Sequence, residues 1–134
     1  MADNVALVEQ AYEAFGRGDV EAFLEVFDEN VEWLPAESSP YWTGAALRGP
    51  GAVVEGVFAP LAQATESFQL VLHRVVGAGD TVLVEGRYTG RRTATGTDFD
   101  IQMCHVWDFR DGRLVHWQQY TDTLGWARVT GGAV

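Results

Sequence analysis

His105 lies in "MCHVWDF" (residues 103–109) between large apolar residues, and Gln119 closes the following "LVHWQQ" (residues 114–119). An imidazole can donate, accept or transfer a proton near neutral pH, whereas a side-chain amide can orient an oxygen but cannot act as a base. Set among aromatic residues, the two describe the polar floor of a greasy pocket for a hydrophobic small molecule carrying one or two oxygens. The competing reading is a filled core, with His105 hydrogen-bonded to Gln119 and a backbone carbonyl, because buried polar groups need partners. Strand alternation puts Met103, His105, Trp107, Val115, Trp117 and Gln119 on one wall, with Tyr88 from an adjacent strand. A second set, Trp33, Glu37, Tyr41 and Trp42, falls in or beside a loop at the expected mouth, and Tyr12 and Phe58 complete the candidate ligand-binding residues. Among these candidates Glu37 is the only carboxylate.

The remaining reactive residue types read as structural. His73 and His116 fall on outward positions of their strands, and Asp122 in "YTDT" suits a turn or helix cap. Cys104 is the single cysteine and points to the opposite side of its strand from His105, which excludes a disulfide framework and a Cys–His nucleophile pair. No metal-ligand spacing or nucleotide motif is visible, so neither a metal nor a cofactor is expected.

These residues must be positioned by their elements. Asp3 or Asn4 can cap a helix whose Val5, Val8, Ala11, Tyr12 and Phe15 form one stripe, and Asp19 a second helix over "VEAFLEVF". "NVEWLP" reads as a short strand, "AESSPYWTGAALRG" as loop, and "PGAVVEGVFAPLAQ" as a helix that Pro60 kinks or ends. From residue 67 the period becomes alternating, and four strands follow as a meander around "GAGD", "TATGT" and "RDGR". The expected fold class is α+β, with three helices covering a curved antiparallel sheet, in a single domain over 1–134 whose ends, 1–4 and 127–134, are frayed.

The 134 residues carry 19 acidic and 9 basic side chains, a formal net charge of −10, which repels phosphate backbones and anionic lipid. Arg87, Arg91 and Arg92 form too small a patch to offset that field, so nucleic acid is excluded as an expected partner. No apolar run approaches the ~18 residues of a membrane span and no signal-peptide pattern opens the chain, so a cytoplasmic, reducing location is expected.

The segments "AYEAFGRGDVEAFLEVFDENVEW", "LRGPGAV" and "HVWDFRDGRLVHWQQYTDT" resemble the nuclear transport factor 2-like superfamily, within it the SnoaL-like proteins that include polyketide cyclases and relatives of ketosteroid isomerase. The resemblance covers nearly the whole chain and implies a cone of curved sheet, a deep apolar pocket and frequent dimerisation through the sheet. In the isomerases a carboxylate base works with a tyrosine and a protonated aspartic acid. Here Pro35 falls at the base position, Ala11 at the tyrosine position and His105 at the acid. In SnoaL-like cyclases an aspartate late in the last strand is the base, beside a histidine that His105 matches; Gln118 or Gln119 replaces the aspartate, and neither ionises. Three functions stay open: an isomerase or cyclase-type enzyme using His105 on a hydrophobic carbonyl compound, a noncatalytic binder of such compounds, and a homodimeric structural domain pairing through Leu83, Glu85, Arg87, His116 and Gln118.

Overall fold

The computed structural model describes residues 3–130. Helices α1 (Asn4–Gly16) and α2 (Val20–Leu24) start as expected at Asp3 and Asp19, whose carboxylates accept from the amides of Ala6 at 3.1 Å and Ala22 at 3.0 Å. Strand β1 (Phe27–Leu34) follows, then a loop holding the two-residue strand β2 (Leu47–Arg48). A broken helix comes next: α3 (Pro50–Val53), a π-helical turn (Val54–Phe58) and α4 (Ala59–Ala64). Pro60 has no N–H to return to the preceding turn, so the break it was expected to cause takes the form of a widened turn just upstream.

Strands β3 (Thr65–Ala78), β4 (Thr81–Arg92), β5 (Asp98–Arg110) and β6 (Arg113–Thr121) form the antiparallel meander. β1 joins β6 in parallel, giving one curved, unclosed six-stranded sheet in the order β2-β1-β6-β5-β4-β3. Two expectations about element ends change. The second helix stops at Leu24 and not at Phe27, because Val26 and Phe27 are drawn into the sheet: the Leu114 amide donates to the Val26 carbonyl at 2.8 Å, and Phe27 pairs with Leu114. Residues 127–130 are not frayed, since α5 (Thr123–Thr130) buries Trp126 and Ala127, with Asp122 accepting from the Gly125 amide at 3.0 Å as its cap; residues 1–2 and 131–134 lie outside the described ones.

The sheet bends where β3 crosses β4. The register slips between Leu72 and Arg74, beside Gly86 on β4, and a Cβ at Gly86 would run into the Val71 carbonyl oxygen. Gly86→Ala is therefore expected to cost about 2 kcal/mol in a urea melt through forced backbone displacement; an unchanged midpoint would remove Gly86 from the account of the curvature.

The concave face and the helices enclose the core, in which Val8, Tyr12, Phe23, Phe27, Val84, Trp107 and Leu114 are buried. Alternation holds on β4 and β5, but on β6 a register shift opposite Asp108 and Phe109 sends Leu114 inward, so Val115 is not part of the wall. Among the described residues no helix is long and apolar enough to cross a membrane, and no group of His, Cys, Asp or Glu could hold a metal ion.

Candidate functional site

His105 projects from the middle of β5 onto the concave face and is 2% exposed. Its ring lies between two phenols. The Tyr12 hydroxyl is 2.5 Å from Nδ1, and the Tyr88 hydroxyl is 2.5 Å from Nε2. The filled-core expectation of a Gln119 and carbonyl pair on His105 is thus replaced: Gln119 faces His105 in the strand register, yet its amide donates to the Tyr88 oxygen at 2.8 Å while its Oε1 accepts from the Ala36 amide at 3.0 Å. On the other side the Trp107 indole donates to the Tyr12 oxygen at 2.9 Å. Tyr12, not Ala11, is the first-helix residue aimed at His105, because the α1 stripe turns that ring toward β5.

Hydrogen positions follow from counting. Tyr12, neutral His105 and Tyr88 bring three hydrogens to two hydrogen bonds, so one hydroxyl hydrogen is left over. The Tyr12 oxygen accepts from Trp107, and the buried Trp117 indole N–H faces it as well, outside hydrogen-bonding geometry and without another partner. Each phenol oxygen accepts from one further donor, Trp107 on Tyr12 and Gln119 on Tyr88, so the spare hydrogen sits on Tyr88 when His105 carries its proton on Nε2 and on Tyr12 when it carries it on Nδ1. The Trp117 indole beside Tyr12 favours the first arrangement, in which Tyr12 donates to Nδ1 and Nε2–H of His105 donates to Tyr88. The Tyr88 oxygen then accepts from both His105 and Gln119, and its hydroxyl hydrogen has no acceptor among the described residues. This tautomer is assigned from the network.

Electrostatics agree with a neutral site. Burial pushes the His105 pKa down to about 3, so the imidazole is uncharged at physiological pH. Burial likewise holds both phenols well above their ordinary range, opposed at Tyr12 by the Trp107 hydrogen bond and at Tyr88 by Gln119.

Around this floor is a cavity of about 60 Å³. That is room for several waters, well below the roughly 300–1,000 Å³ usual for drug-sized ligands. Trp33 stacks on Trp117 with centroids 3.5 Å apart across the β1–β6 pair, and Phe58 meets Trp33 edge-on at 5.7 Å. Pro40 is the exposed lining residue, so the mouth opens there.

Of the residues expected at the site, Tyr12, Trp33, Tyr41, Phe58, Tyr88, His105, Trp117 and Gln119 line the cavity. Trp107 supports it through Tyr12, and Met103 is buried further along β5 without lining it. Trp42 lies in a groove outside the mouth, and Glu37 is exposed and lines neither space. Pro35, at the position of the isomerase base, lines the cavity, and Gln119 rather than Gln118 reaches it; Gln118 turns its amide to the Gln119 carbonyl at 2.8 Å. Among the lining residues that sequence reasoning missed are Trp126, Phe68 and Ser39, beside apolar helix and strand residues such as Phe15, Phe23 and Leu61. Trp126 adjoins the end expected to be frayed; Phe68 belongs to a strand whose inward face the bulge obscures; the one available signal for Ser39 is its place in the mouth loop.

The model of the SnoaL-like domain family matches residues 8–117. An NTF2-like protein of Burkholderia thailandensis is 31% identical and superposes with a TM-score of 0.91, covering 97% of this chain and 98% of its own. TerC, crystallised with polyporic acid, is 23% identical with a TM-score of 0.85, covering 97% of this chain and 99% of its own. IdmH of Streptomyces antibioticus, a candidate polyketide cyclase, is 21% identical with a TM-score of 0.81, covering 97% and 99%. At those identities the last two share the fold. No curated protein matches the sequence.

Proposed function

The chain belongs to the SnoaL-like domain family, and on that premise we propose that its cavity binds a hydrophobic carbonyl compound and polarises the carbonyl oxygen for a cyclase-type reaction. The observation that carries this reading is the Tyr88 hydroxyl, set in the lining of an aromatic cavity and held in place by His105 and Gln119; with His105 protonated on Nε2, its hydrogen has no acceptor among the described residues. A preorganised donor in a dry site stabilises charge that develops on oxygen.

The same site argues for cyclisation over isomerisation. Moving a hydrogen between carbons needs a base that is free near neutral pH. No carboxylate lines the cavity, and the bare nitrogen of His105 is occupied by Tyr12. Closing a ring in a compound that already enolises in water needs a donor for the oxygen and an enforced conformation, which the floor and the aromatic walls can supply. A ligand of that size requires the Pro40–Tyr41 segment to move aside. The absence of an ionisable base also favours a second reading, a binder that returns its ligand unchanged.

The test is a binding and turnover panel of acetophenone, benzoylacetone, enolisable aromatic polycarbonyls and polyporic acid, read by thermal shift and by mass. Aryl ketones are expected to bind, with Tyr88→Phe weakening them about tenfold, the value of one well-made hydrogen bond. A panel member should also cyclise at an enhanced rate. Equal affinity in Tyr88→Phe, or no binding at all, would overturn the carbonyl site, and recovery of every bound compound unchanged would favour the binder.

With a neutral imidazole and un-ionised phenols, affinity for acetophenone should be flat from pH 5 to 9. An inflection near pH 6.5 would show that His105 titrates and would overturn its neutral role.

A further inference from the structure

The cavity is the inner end of a longer space. Outside the mouth runs a groove of about 510 Å³ that shares Ser39, Pro40 and Tyr41 with the cavity and continues over Trp42 and Pro60 to Arg92, the last residue of β4. Arg92 is half-buried, and its Nε is fully buried with no hydrogen-bond partner among the described residues. Arg17, Arg48, Arg74, Arg87 and Arg91 each sit against an Asp or Glu, whereas Arg92 has no such partner among the described residues. Arg110, Arg113 and Arg128 also have none, but none of the three lines the cavity or the groove, and Arg113 donates to the Glu25 and Phe27 carbonyls. In a chain with 19 acidic residues, no carboxylate lines either space. The general field repels anions, and this one path is free of local repulsion and ends on an uncompensated guanidinium.

We propose that the ligand is an apolar keto acid, its carbonyl on the Tyr88 hydroxyl and its carboxylate on Arg92 at the mouth. This deepens the carbonyl-site reading and rests on it. A carboxylate can take Nε–H and one terminal N–H of a guanidinium together, and the orphaned Nε is half of that fork. Ser39, whose hydroxyl is buried without a partner where cavity meets groove, offers a further donor along the way.

The experiment uses ω-benzoylalkanoates with two to six methylenes and their methyl esters, titrated into the wild type, Arg92→Gln and Arg92→Lys at low and high salt. The best-fitting acid is expected to bind the wild type about tenfold more tightly than its ester. Arg92→Gln should abolish that preference while leaving ester affinity unchanged, and high salt should narrow it. Should Arg92→Gln not fold, Arg92→Lys reads the same point, with the preference expected to shrink about threefold because a point charge replaces the fork. Esters binding as well as acids to the wild type, an acid preference that survives in Arg92→Gln, or one undiminished in Arg92→Lys would overturn the role of Arg92 and leave the carbonyl site standing. If neither acids nor esters bind, the carbonyl site itself fails, and this assignment with it.

Discussion

His105→Leu is expected to lower the stability of the protein by about 3 kcal/mol at pH 7.5, although leucine is similar in size and more apolar. The substitution removes both Tyr–imidazole hydrogen bonds, each worth about 1 kcal/mol net, and strands the Tyr12 hydroxyl hydrogen in the core at a further cost of about 1–3 kcal/mol, against which the apolar gain is set. Adding Tyr12→Phe to His105→Leu should restore little, within about 1 kcal/mol, because the stranded hydroxyl hydrogen goes but the Trp107 indole N–H loses its acceptor. Urea unfolding of the two variants and the wild type measures this. A loss below about 1 kcal/mol in His105→Leu, or a double variant as stable as the wild type, would mean that the network does not hold the core.

The second large effect is on pH dependence. His105 has a pKa of about 3 in the folded protein, while an unfolded histidine titrates near 6.5. Between these values the unfolded chain binds a proton that the folded protein refuses. The stability contribution is fully present above about pH 6.5 and is lost as pH falls toward 3, at about 1.4 kcal/mol per pH unit. From pH 6.5 to 4.5 the loss assigned to this residue is about 2.3 kcal/mol. Carboxylates also begin to titrate there, so the informative quantity is the difference between the wild type and His105→Leu: the wild type should fall more steeply by that amount. Parallel curves would place a water-accessible, ordinary imidazole at position 105.

These two effects bear on function as well as stability. A histidine held neutral between two phenols is costly to bury and costly to protonate, and its product is a tyrosine hydroxyl hydrogen facing an aromatic cavity. Both ring nitrogens are occupied by phenols, so the proposed reading gives His105 a holding role and not that of the proton-abstracting base a histidine first suggests.

Much of the fold was legible in the residues themselves. The alternation of Val82, Val84, Gly86 and Tyr88, and of Ile101, Met103, His105, Trp107 and Phe109, assigned the buried face of β4 and β5 correctly. Asp3, Asp19 and Asp122 cap the helices they precede, and Pro60 follows a widened turn. What failed did so at ends and bulges. Val26 and Phe27 continue a helical pattern, yet β6 offers them a partner; Val115 follows the alternation, yet a slip in register puts Leu114 inside.

The sequence by itself determined which way His105 faces and what class of surroundings it has, because side-chain direction along a strand is set by local backbone geometry. It also determined that a carboxylate is missing from the last strand. Only the tertiary structure decided what His105 touches. Tyr12 reaches it from 93 residues away, Tyr88 holds its other nitrogen, and Gln119 is turned from His105 by an amide at Ala36. The same holds for the space around it: Trp126 enters the cavity because α5 folds back, and Arg92, without a carboxylate partner among the described residues, lines the groove at the end of its strand. Periodicity is a property of neighbours in the chain, whereas hydrogen-bond partners and cavity walls are chosen by packing between elements far apart in it.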